Sequence, residues 1–386
     1  MKKIKLNLFL NLFQNRSLPP CYSNIKYTHS SGCINLENVN NKTNDSNLYS
    51  LMLAPSYLDF HVKDGYFLKI IKQDNNGYSS WLDEFSTINS YVKFCFKKNA
   101  KVIFKRLKRL ECCFDIEYKF YHGTISFKDY EAIMNALKIM LEKRFEQRND
   151  TNEMLLNWEN IFNSTYDLIV KQQASFYVIY NKNVPIGISL QYHLDRVLLS
   201  YMSSYDIDYQ KFGLGNTMIY KQIEWCISNN YKYFEQGYFD LEYKRLWSNN
   251  VYKFNHHVVY KKGVIRAFLY GNIEIIKVII KEFLKSKNFK AKLKKVKHLI
   301  NPKEKTSSYC PVKYRSVDFV DGDGKNILDI VDWKKGDFRF LRKAIYDFLY
   351  SNFEKVDDVK VFKIKYLPMT FKIQGKNKSV KIIFCN

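Results

Sequence analysis

Eight residues, Gln210-Lys211-Phe212-Gly213-Leu214-Gly215-Asn216-Thr217, restrict the fold of this chain more than any other stretch. Before them, Val197-Leu198-Leu199-Ser200-Tyr201-Met202 is apolar and short, as a buried strand is. After them, Met218, Ile219, Ile223, Cys226 and Ile227 fall on one helical stripe. Glycines at a strand-to-helix junction let successive backbone N–H groups point into one concavity with no Cβ in the way. The helix adds its unpaired N–H groups and the positive end of its dipole. The pattern predicts a seat for a pyrophosphate. Two glycines also suit an ordinary tight connection, so the surrounding order of elements must decide. A Walker loop would need Gly-Lys-Ser/Thr and a dinucleotide fingerprint a third glycine, so neither fits.

Residues 114–120 alternate like a strand. Ser126 then precedes Asp129 in capping-box form, opening a helix with Tyr130, Ile133, Met134, Leu137, Met140, Leu141 and Phe145 on its apolar face. A second helix is expected over 153–171. Residues 175–180 and 186–192 form a hairpin around 181–185, and 197–203 makes a third consecutive strand. The glycine loop and its helix follow, then a strand at 232–235, a short helix over 241–247 and a strand at 254–261.

That order resembles the complete GNAT fold of N-acyltransferases, whose acyl-CoA pyrophosphate loop carries Gln-x-x-Gly-x-Gly after the fourth strand. The resemblance covers about residues 110–265. It implies an α/β (α+β) fold: a mixed, mostly antiparallel sheet flanked by helices, here with extra N- and C-terminal regions. A second stretch, Gly237-Tyr238-Phe239-Asp240-Leu241-Glu242-Tyr243-Lys244-Arg245-Leu246-Trp247, resembles the Asp-Glu-Pro-Tyr-Lys-x-x-Trp of GNAT proteins related to Fem-type peptidyltransferases and polysaccharide-associated acyltransferases. Leu241 interrupts the acidic pair here and the proline is absent.

The resemblance implies direct transfer of an acyl group from acyl-CoA (acetyl-CoA or longer) to an amine, without a metal. It assigns the N–H groups of Gly213, Leu214, Gly215, Asn216 and Thr217 to the pyrophosphate, and Gln210 to orienting the loop or binding a phosphate oxygen. The backbone around Met202 would meet the thioester oxygen. Glu235 is the candidate base, with Asp206 and Asp240 as rivals. Tyr243 or Tyr252 would protonate the leaving thiolate. Asp240, Lys244 and Trp247 would shape the acceptor side, although a tryptophan there equally suits the core. The Fem-type branch implies a second donor, an aminoacyl-tRNA. A third reading is a non-catalytic basic RNA-binding protein.

Charge bears on these alternatives. The net +24 over 386 residues implies attraction to polyanions, or simply a lysine-coated surface, with dense runs at 97–109 and 281–297. With 30 tyrosines and 29 phenylalanines, no single aromatic carries much meaning. The eight cysteines contain no Cys-x-x-Cys and no nucleophile with a His/Asp partner, which suits reduced thiols in a cytoplasmic protein. His256 and His257 are neighbours on a strand, so they face opposite ways and do not share a metal. Met1-Lys2-Lys3 and the apolar 6–13 imitate a signal peptide, but asparagines interrupt the run and no cleavage site follows.

The expected organisation is a flexible segment at 1–46, a mixed region at 47–109 and the transferase-like domain at 110–265. A basic helical linker at 266–309, with an amphipathic helix at 273–284, leads to a small α/β module at 310–386. In that module a helix is expected over 338–353 and strands at 361–365 and 380–384. Asp321-Gly322-Asp323-Gly324 reads as a turn, because Asn326 replaces the glycine a calcium loop needs.

Overall fold

The computed structural model describes residues 3–28, 32–34, 36, 46–149, 153–287, 313–319, 328–365 and 367–385. The lysine run beyond 287, the linker at 301–309 and the turn at 321–324 lie outside them.

Along the chain the first elements are β1 (Lys3–Asn7), α1 (Leu8–Gln14), β2 (Tyr22–Tyr27), β3 (Leu48–Pro55), β4 (Leu58–Val62) and β5 (Tyr66–Trp81). Helices α2 (Ile88–Phe96) and α3 (Ala100–Cys113), strand β6 (Ile116–Tyr121) and helices α4 (Phe127–Arg148), α5 (Glu153–Leu156) and α6 (Trp158–Val170) follow. Next come β7 (Ala174–Asn181), β8 (Val184–Leu194), β9 (Val197–Tyr205), α7 (Leu214–Ser228), β10 (Tyr233–Glu235), α8 (Glu242–Trp247), β11 (Asn250–Lys261) and α9 (Ile265–Ser286). The last part holds β12 (Lys313–Asp318), β13 (Leu328–Ile330), α10 (Arg342–Asn352), β14 (Lys360–Ile364), β15 (Thr370–Gln374) and β16 (Ser379–Cys385). The fold is mixed α/β with mostly antiparallel pairing. Each element expected between 110 and 265 is present; the helix expected over 153–171 breaks into α5 and α6 around Asn157.

Two compact units interleave along the chain, and β8, β9 and α7 each contribute to both. The first comprises Met1–Cys95, Gln191–Tyr201 and Glu224–Lys305. Its strands run in the order β1-β3-β11-β5-β10-β9. β1 is parallel to β3 and β10 parallel to β9; β11 runs antiparallel to β3 and β5. Residues 3–28, expected to be loose, belong to this unit: Leu8, Phe9, Leu12 and Phe13 are buried, and the Phe9 ring meets Phe254 edge-on at 5.4 Å. The asparagines that interrupt the apolar run serve the helix: Asn7 caps α1 by accepting from the Leu10 N–H. α9, expected in a linker, packs Ala267 and Val278 into a core with Leu48, Ile71, Val258 and Tyr260.

The second unit comprises Phe96–Leu190, Met202–Ile223 and Thr306–Asn386. Here β6 pairs antiparallel with β7, and β8 follows β7. Helix α4 opens at the expected Ser126 cap, the Asp129 N–H donating to Ser126 Oγ at 3.1 Å, and the Asp129 carboxylate accepts from that hydroxyl at 2.7 Å. The expected C-terminal module forms a five-stranded sheet, β12-β16-β15-β14-β13, with α10. Its described residues do not pack apart from the rest of the unit. Ile345, Tyr346, Leu349, Phe371 and Phe384 share a core with Leu110, Phe114, Ile179, Phe212, Leu214 and Met218.

Candidate functional site

In the second unit, β9 leads into a turn of 3-10 helix, Ile207–Phe212, which Asp206 caps. Gly213 ends that turn with φ +70°, a conformation that glycine adopts without strain, and α7 begins at Leu214. Of the five N–H groups expected to face a pyrophosphate, three are already bonded. Gly213 donates to the Gln210 carbonyl, and Asn216 and Thr217 both donate to that of Gly213. The Leu214 and Gly215 N–H groups find no backbone acceptor among the described residues.

Both glycines are closely approached. A Cβ on Gly213 would stand 2.8 Å from Arg106 Cδ, and one on Gly215 would stand 3.1 Å from the Tyr205 ring. The Arg144 guanidinium covers the Tyr205 ring at 4.4 Å. Arg106, half-buried on α3, has an Nε with no hydrogen-bond partner and forms no ion pair among the described residues. The nearby Lys211, by contrast, is tied to Ser351 Oγ at 2.9 Å and to the Asp347 carbonyl. Asp206, a rival base in the sequence, is held by Arg342, which also contacts Asp208 at 2.8 Å. Gln210 is exposed and Met202 is buried. The rigidity of the turn comes from beneath: Tyr209, Phe212 and Leu214 sit in the core made with α10.

The first unit holds a different cluster. Glu235 ends β10 and is 0% exposed. Its Oε1 accepts the Gly237 N–H at 2.7 Å, which the φ of +71° at Gly237 turns back toward it. Its Oε2 accepts the Tyr252 hydroxyl at 2.9 Å. Tyr252 reaches it because its cross-strand partner is Gly77: a Cβ there would stand 2.2 Å from Tyr252 Cζ, so the ring lies over bare backbone. The buried Tyr57 ring stacks on Tyr233 at 4.7 Å and meets Tyr252 edge-on. Its hydroxyl helps hold the charge of Glu235 while lying outside hydrogen-bond geometry.

Burial pushes the Glu235 carboxyl up to about 7 against these donors and the charge of Lys244. Lys244 is buried as well, and burial pulls its ammonium down to about 8, opposed by the charge of Glu235. Its Nζ donates to the Tyr238 carbonyl at 2.6 Å. The Tyr252 phenol is raised well above 10, first by burial and then by the Glu235 charge, so it keeps its proton.

Of the candidate residues that follow the glycine loop in sequence, the structure brings together Glu235, Tyr252 and Lys244. It does not bring the others to that carboxyl. Trp247 is enclosed in the core, its carbonyl accepting from Ser80 and Tyr91. Asp240 lies at the surface, where it accepts from the Tyr78 hydroxyl and pairs with Arg245 Nε at 2.7 Å. The Tyr78 hydrogen bond first, and then Arg245, holds its carboxyl below the usual range. Tyr243 is 43% exposed. Lys244 points inward instead of lining an acceptor surface.

Sequence reasoning overlooked Tyr57, Gly77 and Arg106. Arg106 lay inside a basic run that had no internal signal, and Gly77 carried meaning only through its register with Tyr252. Cys226, buried on α7, has its thiol pushed well above the usual range by burial, which does not suit a nucleophile. His256 and His257 do face apart, toward Ser50 and Tyr22 respectively. A depression of about 350 Å³ lined by Ile71, Gln73, Lys253, Glu282 and Phe283 contains none of the candidate residues.

Residues 98–245 match the family described as acetyltransferase (GNAT) domain. No curated protein matches the chain. Among solved structures, the chain is similar to a conserved protein of unknown function from Bacteroides thetaiotaomicron, with 10% identity and a TM-score of 0.37 over 55% of this chain and 70% of that one. It is also similar to L-PGS from Bacillus licheniformis, with 12% identity and a TM-score of 0.34 over 58% and 72% of the two chains. FemX aligns at 8% identity and a TM-score of 0.37 over 51% and 66%.

Proposed function

We propose that this chain, which carries a GNAT acetyltransferase domain over residues 98–245, moves an acyl group from acyl-CoA to an amine by direct transfer. The observation that carries the reading is Arg106: a half-buried guanidinium with no anionic partner among the described residues, beside two N–H groups at the start of α7 that find no backbone acceptor among them. Burying part of a cation without a partner is costly, and an anion in that place removes the cost. A pyrophosphate matches the donors: the planar guanidinium takes one phosphate and the Leu214 and Gly215 N–H groups take the other, with the helix dipole adding to both.

In the transfer the amine nitrogen attacks the thioester carbonyl carbon, the carbon–sulfur bond breaks, and coenzyme A leaves as its thiolate. An alkylamine must first lose a proton, and Glu235, with its carboxyl near 7, supports that role because it is about half ionised at neutral pH. Tyr252, protonated and donating to Oε2, positions the carboxylate. Tyr243 stands as the group that returns a proton to the thiolate.

The test is acetyl-CoA binding by calorimetry to the wild type and to Arg106→Ala. The variant should bind about ten- to a hundredfold more weakly, the loss of a charged hydrogen bond, while melting normally. Equal affinities would remove the phosphate seat. The net charge of +24 supports a second donor, an aminoacyl-tRNA. If bulk tRNA binds far more tightly than acetyl-CoA and with a steep salt dependence, that donor replaces the first.

A further inference from the structure

Helix α9 is inverted. Its two carboxylates face the protein, where Glu274 accepts from Ser50 Oγ at 2.8 Å and Lys3 Nζ at 2.6 Å. Glu282 accepts from the Asp74 N–H at 2.8 Å and from Gln73 Nε2. Ala267 and Gly271 let the helix approach closely; a Cβ on Gly271 would stand 2.4 Å from the Tyr260 ring. The large apolar side chains point the other way. Ile265, Phe268, Leu269, Ile276, Ile280 and Phe283 recur at helical spacing on one stripe and are 52–78% exposed. Arg266, Lys277 and Lys281 are exposed along one flank of that stripe, and neither glutamate contributes to it.

An apolar stripe of this length on a water-facing helix marks a docking surface. Its charge selects the occupant. The outward side presents only cations, the whole chain carries +24, and the acidic side chains that would repel an anionic surface are withdrawn into the unit. No helix among the described residues is long and apolar enough to cross a membrane, so such a helix lies in an interface and does not span it. We propose that α9 seats this protein on an anionic lipid bilayer, with the apolar stripe among the acyl chains and the basic flank at the headgroups.

Flotation of the full chain with vesicles of equal parts phosphatidylglycerol and phosphatidylcholine, and with phosphatidylcholine alone, tests this. The protein should float with the anionic vesicles, less so as ionic strength rises, and bind the neutral ones more weakly. Ile276→Asp/Ile280→Asp/Phe283→Asp, all at outward positions, should lose more than about tenfold in partitioning with an unchanged melting temperature. Ile276→Ala alone, too mild to disturb folding, should show a smaller loss in the same direction. The proposal is overturned if the wild type stays in solution with anionic vesicles, or binds neutral and anionic vesicles equally. It is also overturned if the stripe instead joins two copies, seen as a dimer in sedimentation that the triple variant dissociates while no vesicle binding occurs.

Discussion

The Glu235 cluster and the Gly213–Thr217 turn prepare for charge by opposite means. Around Glu235 the working groups are side chains: a carboxyl raised by burial, two tyrosines and a lysine that burial lowers to about 8. At the turn they are backbone N–H groups at a helix start, with one arginine that has no anionic partner among the described residues. The first device responds to pH, because its charge is set by a proton equilibrium near neutrality. The second is built on space and backbone N–H groups; it responds to sterics and salt. Perturbations that act on one and spare the other therefore separate the two.

The largest effect is expected at Glu235. If it accepts the amine proton, Glu235→Gln should lower kcat/KM about a hundredfold or more, the usual contribution of a positioned base. The wild-type profile should rise with pH and level off above about 7, and the variant should lack that limb. Retention of the limb would assign it to another group.

Next is Gly215→Val. Its backbone is ordinary, unlike that of Gly213, so the substitution tests space alone: the new side chain meets the Tyr205 ring and crowds the free N–H groups. Acetyl-CoA should bind about tenfold or more weakly, in the range of one lost charged hydrogen bond, with no change in the pH limb. A shifted limb with unchanged binding would reverse the division of labour between the two regions.

Gly77→Ala should do the converse. The new methyl displaces the Tyr252 ring from Glu235, at a stability cost of about 1–3 kcal/mol typical of overpacking. Losing a donor to the carboxylate moves the activity limb above about 7, while acetyl-CoA affinity stays the same.

A final effect is on stability. Glu235 has a folded-state value raised from 4.5 to about 7, so the folded protein binds the extra proton between those limits. Stability should therefore decline as pH rises from about 4.5 to about 7, and be flatter over that window in Glu235→Gln. Melting curves at the two ends of the window check the sign.

The two regions were also unequally legible. The turn was read from its own eight residues, since a glycine-bearing strand-to-helix junction is a local pattern, and its flanking elements appeared close to where periodicity placed them. Yet its N–H groups were over-assigned, because the 3-10 turn takes that of Gly213 and the first turn of α7 takes those of Asn216 and Thr217, and only hydrogen-bond geometry shows that. Glu235 was placed at a strand end, but nothing local indicated that it is enclosed or that Tyr57 and Gly77 complete its surroundings. Trp247, Asp240 and Lys244 share one short motif and have three different environments: core, surface and buried pair.

What this sequence determined by itself is what acts over a few residues: the alternation of β6 and β7, the Ser126 cap, the hairpin into β8, and the glycines at the start of α7. Tertiary structure alone decided which distant segments meet. It drew residues 3–28 into the first unit, placed the C-terminal module beneath the glycine turn, and turned α9 inside out by giving Glu274 and Glu282 partners in other strands. Periodicity records that a helix has an apolar face, but burial depends on what the opposite face can bond. On α9 the hydrogen-bonded carboxylates were buried and the apolar stripe was left outside.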